Sequence, residues 1–274
     1  MTIEQLRTLE NARARTLFGE APARDARFQV KERWRDCCNL PDGHPEKTTE
    51  FLHRQMNEEV NSLEISARAI ADFPKAPWDL RMRIARQCAD EARHVLMFRA
   101  LVEQRGAVVG AYPVMNFQYR IVCRLPTLEG RLAVQNKTFE AGGIDALATA
   151  VKEAAQVGDQ EMLRLFEYQE ADEITHVRFA NEYLHSAIAG NARVALDVAR
   201  ALTEASWAFS QVFGAAANRI RYDVSAEARL EAGFLPAEIR VASEALARKK
   251  AAAPPGYDQI DSEFLCSARR STSD

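Results

Sequence analysis

Apolar residues recur at three- and four-residue steps along four stretches of the chain, the spacing of one buried helical face. Leu52, Met56, Leu63 and Ile70 form the first stripe with Glu59 among them, and Leu80, Ile84, Cys88, Val95 and Phe98 form the second around Glu91. Leu132, Asn136, Phe139, Gly143, Leu147 and Ala154 surround Glu140 in the third, and Met162, Phe166, Gln169, His176, Ala180 and Tyr183 surround Glu173 in the fourth. Each stripe predicts a helix whose core face is interrupted by one carboxylate. Phe73-Pro74-Lys75-Ala76-Pro77 ends the first helix, and Val157-Gly158-Asp159 separates the third from the fourth. Counted from these turns, the four glutamates fall at similar depths, roughly 22–27 Å at about 1.5 Å of rise per residue. Glu64 misses that depth by about five residues at the same rise, so Glu59 is the preferred inward group.

The long stretch between Gly106 and Gly130, with Pro113 and Pro126, is too long for a tight turn. It suits a crossover that makes the second and third helices parallel. The expected architecture is all-α: a four-helix bundle over 48–188, a short N-terminal helix and extended arm in 1–47, further helices in 189–266 packing on the bundle, and a disordered tail from 267 to 274.

The halves repeat. Ala89-Asp90-Glu91-Ala92-Arg93-His94-Val95 and Ala171-Asp172-Glu173-Ile174-Thr175-His176-Val177 lie 82 positions apart (91 to 173), and Glu59 and Glu140 lie 81 apart (59 to 140). One E-x-x-H is weak, because Glu and His are ordinary residues of helix surfaces. Two in register, each with an upstream Glu at matching distance, point to a shared site. The i, i+3 spacing puts Glu and His on one face. Glu59 and His94 are expected to hold one metal, Glu140 and His176 a second, and Glu91 and Glu173 to bridge. Mixed carboxylate and imidazole donors suit iron or manganese rather than a thiolate-preferring metal. Two divalent cations would neutralise four carboxylates that otherwise repel.

A ligating histidine usually gives its second ring N–H to a carboxylate. Asp90 and Asp172, four residues before each histidine, are candidates; so are Glu64 and Asp145, five residues after each upstream glutamate. Gly143, one turn beyond Glu140, either leaves room for dioxygen or substrate, with Phe139 and Met56 as neighbouring walls, or serves close helix packing or a local bulge. His44, His53 and His185 lack repeat partners and read as structural, as does Cys37-Cys38; Glu170, one turn before Glu173, is a weaker candidate ligand.

This set of residues resembles the ferritin-like di-iron carboxylate superfamily. Glu59–Phe73 with Pro74 and Pro77, Cys88-Ala89-Asp90-Glu91-Ala92-Arg93-His94, Thr138-Phe139-Glu140 and His176-Val177-Arg178-Phe179 look like a bacterial ferritin-like family of unknown function. More distant relatives are a tRNA hydroxylase and amine N-oxygenases. The resemblance implies two Fe ions, or a Mn/Fe pair, and O2-dependent hydroxylation, N-oxygenation or desaturation of a small organic molecule. It also implies a ferredoxin or flavin reductase as electron donor. A ferroxidase or iron store, and a tRNA-modifying hydroxylase, are the alternatives, and a homodimer is compatible with all of them.

Composition narrows the rest. The 274 residues carry 36 Lys+Arg against 39 Asp+Glu, a formal net charge of −3, which gives no basic footprint for nucleic acid. Arg120 and Arg124 in the crossover are the nearest candidates for such contact. No apolar run has membrane-spanning length. Five cysteines, at 37, 38, 88, 123 and 266, form neither a zinc nor a disulfide framework, which fits a cytoplasmic location.

Overall fold

The computed structural model describes residues 22, 24–37, 40–41, 43–214 and 222–252. The expected N-terminal helix, Cys38 and the expected C-terminal tail lie wholly or mostly outside these. The described chain is helical almost throughout: α1 (Lys47–Asp72), α2 (Trp78–Gln104), α3 (Phe117–Val122), α4 (Leu128–Val134), α5 (Ala141–Val157), α6 (Gln160–Gly190), α7 (Ala192–Phe213), α8 (Ala226–Glu231) and α9 (Pro236–Ala251). Two short strands, β1 (Val30–Lys31) and β2 (Val114–Met115), pair in parallel with Val30 opposite Val114.

Breakers and caps set the helix ends. Phe73 closes α1, and Pro77, whose ring fixes φ near −51°, leads into α2. Gly158 adopts the left-handed conformation (φ +74°) that ends α5. Asp159 then caps α6, its carboxylate accepting from the Met162 N–H at 3.1 Å. Helices α4 and α5 are one continuous run, joined by a π-helical turn, Gln135–Glu140, whose flanking residues keep helical dihedrals. The Thr138 hydroxyl donates to the Ala133 carbonyl five residues back, at 2.9 Å.

Two apolar layers organise the long helices. Leu52, Met56, Phe98, Leu101, Val102, Leu147, Ala154, Met162, Leu165 and Phe166 form one layer. Ala69, Leu80, Ile84, Leu128, Leu132, Ala133, Phe179, Ala180, Leu184 and Val198 form the other. α1 and α6 run from the first layer to the second, whereas α2 and the α4–α5 run go the opposite way. The two turns therefore lie at opposite ends, and α2 and α5 point the same way, as the long crossover requires. Glu59, Glu91, Glu140 and Glu173 sit on all four helices between the two layers.

The crossover is not a plain loop. β2 brings the Met115 carbonyl to α1, where Asn57 and Asn61 donate to it at 2.7 and 3.1 Å. His53 Nε2 accepts from the Gly110 N–H at 2.8 Å. Burial depresses the His53 imidazole to about 4, so it is neutral at physiological pH. Arg120 and Arg124 are ion-paired with Glu32 and Glu204. α7 packs Ala201, Ala205, Ala208 and Val212 into a further apolar cluster with the crossover. α8 and α9 cover Ala141, Ile144, Ile174 and Val177. No helix among the described residues is long and apolar enough to cross a membrane.

Candidate metal centre

Six buried side chains meet between the apolar layers. Glu59, Glu91, His94 and Glu173 form one group, and Glu91, Glu140, Glu173 and His176 a second; within each, the donor atoms lie within 4.8 Å of one another. Glu91 and Glu173 belong to both groups. His94 Nδ1 lies 3.2 Å from Glu59 Oε2, 3.2 Å from Glu91 Oε2 and 3.8 Å from Glu173 Oε1. His176 Nδ1 lies 3.5 Å from Glu91 Oε1 and 3.7 Å from Glu173 Oε2. In both rings Nδ1 faces the carboxylates.

The electrostatics are those of a site built for positive charge. Burial, then the neighbouring Glu173 carboxylate, push Glu91 far above the usual carboxylate range and Glu140 up to about 8. Burial alone would lower the histidines. At His94 the hydrogen bonds to Glu59 and Glu91 more than reverse that effect, and at His176 the hydrogen bond to Asp90 and the nearby Glu173 and Glu91 carboxylates do so. Without a cation, the cluster thus holds protons to offset its own carboxylates. Glu173 Oε2 and His176 Nδ1 are nevertheless buried without a hydrogen-bond partner. Such orphaned atoms are costly unless something satisfies them. Acceptor-only carboxylates and an imidazole nitrogen are donors that a divalent ion takes, so the two groups can hold metal ions.

The outer ring nitrogens reach across the repeat. His94 Nε2 is 3.1 Å from Asp172 Oδ2, and His176 Nε2 is 3.3 Å from Asp90 Oδ2. Each aspartate serves the histidine of the other half, not the one four residues later in its own helix. The other candidate carboxylates do not reach either histidine. Glu64 instead pairs with Arg24, and Asp145 takes a two-pronged contact from Arg229 (2.7–3.1 Å) plus the Ser225 N–H at 2.9 Å. Both tie flanking chain to the long helices, which explains their matched positions by a different role.

A ring of amides was missed from the pattern. Gln169 donates to Glu59 at 2.8 Å, and Asn136 to Glu140 at 2.8 Å. Gln135 donates to Glu140 at 3.1 Å, and Gln87 bridges Glu91 (3.3 Å) and Glu140. The signal was available: a carboxamide stands four residues before every one of the four glutamates, at Gln55, Gln87, Asn136 and Gln169. Gln87, Asn136 and Gln169 are buried one turn from their carboxylates, a costly placement unless they hydrogen-bond there, whereas Gln55 is half-buried.

One side of the centre is open. A cavity of about 1170 Å³ is lined by Glu59, Glu140 and Glu173 but by neither histidine. Phe139 and Gly143 line it, and a Cβ added at Gly143 would meet nothing within 4 Å. Close helix packing therefore does not explain this glycine. At Gly142 the Tyr222 hydroxyl would stand 3.2 Å from an added Cβ. Met56 is a correction: it is buried in the apolar layer with Leu52, Phe98 and Phe166, beneath the centre and not on the cavity wall. Glu170 is half-buried and outside both groups. His44, His53 and His185 make other contacts, to the Glu46 N–H, the Gly110 N–H and Glu238.

No curated protein and no solved structure gives a significant match to the chain. A family model described as "Protein of unknown function (DUF455)" matches residues 2–240, nearly the whole chain, and the chain belongs to that family.

Proposed function

We propose that this chain is a ferritin-like four-helix di-iron protein that uses dioxygen to hydroxylate, N-oxygenate or desaturate a small organic molecule. The observation that carries the reading is the pair of overlapping buried groups that share Glu91 and Glu173 and open on one side to a cavity. Glu91 and Glu173 would be shared by two ions, with Glu59 and His94 completing one set and Glu140 and His176 the other. A bound di-iron pair, or a manganese–iron pair, supplies the two-electron chemistry toward dioxygen that no protein side chain offers.

The chain's own residues divide the remaining work. His94 and His176 present Nδ1 inward while Asp172 and Asp90 fix their outer nitrogens, which sets the tautomer needed for ligation. Gln87, Gln135 and Asn136 hold the Glu140 carboxylate against the cavity, and Gln169 does the same for Glu59. Phe139 supplies an apolar wall, and Gly143 leaves space one turn from Glu140. Apolar surroundings keep water from competing for an oxidising site. Monooxygenation needs two external electrons, so a ferredoxin or flavin reductase completes the proposal.

The size of the cavity supports an enzyme over an iron store, which needs ion passage rather than a chamber for an organic molecule. The test is anaerobic ferrous loading, iron counting, then dioxygen exposure with a panel of small amines and aromatic compounds. About two irons per chain and oxygen-dependent loss of one compound are expected on this reading. Hundreds of irons per assembly, or no iron retained, would sink it.

A further inference from the structure

Between Ala89–Val95 and Ala171–Val177 the two halves of the repeat differ at two positions, and only one of these adjoins the histidine. Arg93 immediately precedes His94, and its counterpart before His176 is Thr175. The Thr175 hydroxyl turns back to its own helix, donating to the Ala171 carbonyl at 3.2 Å. The second half therefore has no guanidinium of its own at this place. Arg93 serves both. Its Nη2 donates to Asp90 Oδ1 at 3.2 Å and also to Asp172 Oδ2. Those are the two aspartates that hold His176 and His94. Arg86 adds a longer contact to Asp90, at 3.5 Å, and reaches no other part of the network.

We propose that Arg93 is a single positioning residue for both metal positions, so that the two halves load as a pair. The inference rests on the metal-centre reading. Its physical basis is short. An aspartate orients a ring only while its own carboxylate is held. Here one nitrogen on one side chain holds both carboxylates, and each carboxylate crosses to the histidine of the opposite half. Removing Arg93 leaves Asp172 without its guanidinium and Asp90 with only the longer Arg86 contact, so both imidazoles lose support. Removing either aspartate frees one imidazole only. Loss of an outer hydrogen-bonding partner typically weakens metal binding by about 10–100-fold.

Arg93 is well placed for a clean test, because its side chain is 52% exposed and its replacement empties no core. The full-length chain, stripped of metal, is titrated with Co2+ as a spectroscopic probe, counting equivalents and following the visible absorption. Wild type is expected to take two equivalents in one steep phase. Arg93→Gln should weaken both equivalents by about 10-fold or more while the metal-free protein keeps its helicity. Asp90→Asn and Asp172→Asn should each weaken one equivalent and split the titration. Arg93→Lys, which keeps a cation between the aspartates, should recover part of the loss in both. Arg93→Gln affecting one equivalent or none, or Lys recovering neither, overturns the proposal. Failure of wild type to bind two metals instead removes the reading beneath it, so the two failures are distinguishable.

Discussion

The two halves that build the centre contribute matching donors in different surroundings. In the α1–α2 half, Glu59 takes one amide hydrogen bond, from Gln169, on a regular helix. In the α4–α6 half, Glu140 ends a π-helical turn, takes bonds from Gln87, Gln135 and Asn136, and is followed by Gly142 and Gly143. A π turn adds a residue to the local repeat and frequently marks a functional site. The glycines cost roughly 1 kcal/mol each in a helix relative to alanine. The repeat thus preserves the six candidate donors and diverges in what surrounds them. The first half is pinned to the crossover by His53, Asn57 and Asn61 and lines the cavity through Glu59; the second lines it through Glu140 and leaves space there at Gly143.

That contrast can be broken at several points. The largest effect belongs to the shared carboxylates. Glu91→Ala or Glu173→Ala should each remove both metals, whereas Glu59→Ala or Glu140→Ala should spare one; metal counts per chain after dialysis decide it. Equal losses from all four would erase the distinction between bridging and terminal positions.

Next comes the coupling of metal to stability. Free metal at 100 times its dissociation constant should stabilise the fold by about 2.7 kcal/mol. Loading should also release protons, because His94, His176, Glu91 and Glu140 all hold them more tightly than usual in the metal-free cluster. Calorimetry in buffers of different ionisation heat reads both quantities. Equal melting temperatures for verified metal-free and loaded protein, with no proton release, would argue against the site.

The pin on the first half is testable through pH. His53 titrates at about 4 in the fold against an unfolded value near 6.5, so between these values the unfolded chain binds more protons. Its contribution is therefore fully present above pH 6.5 and is lost as pH falls to about 4, up to about 3 kcal/mol in all. His53→Gln, which keeps an acceptor for Gly110, should flatten that part of the stability profile in urea unfolding. An unchanged slope would remove His53 from the account.

The smallest effect separates space from packing in the second half. Gly143→Ala should stabilise the helix by about 0.5–1 kcal/mol, since its Cβ meets open space. Gly143→Leu should keep two metals but reduce substrate turnover. Loss of metal in that variant would show that the glycine supports the ligands and not the cavity.

Sequence alone reached the helical class, the two turns, the crossover and the six donors that converge. These follow from local rules: period 3.6 places apolar residues on a face, Pro and Gly end helices, and a carboxylate repeated on that face must be accounted for in the core. The amides before each glutamate were equally legible, because they share the stripe. Other features were decided only by the tertiary structure. The π turn is a rare departure from the α-helix that no local residue pattern specifies, so its place depends on what packs against Glu140. The pairing of Asp90 with His176 and of Asp172 with His94 depends on which helices lie side by side. Glu64 and Asp145 repeat as faithfully as the candidate donors, yet Arg24 and Arg229 claim them. Sequence spacing specifies which face a side chain occupies; the neighbour across that face comes from packing, and a hydrogen bond reaches only about 3 Å.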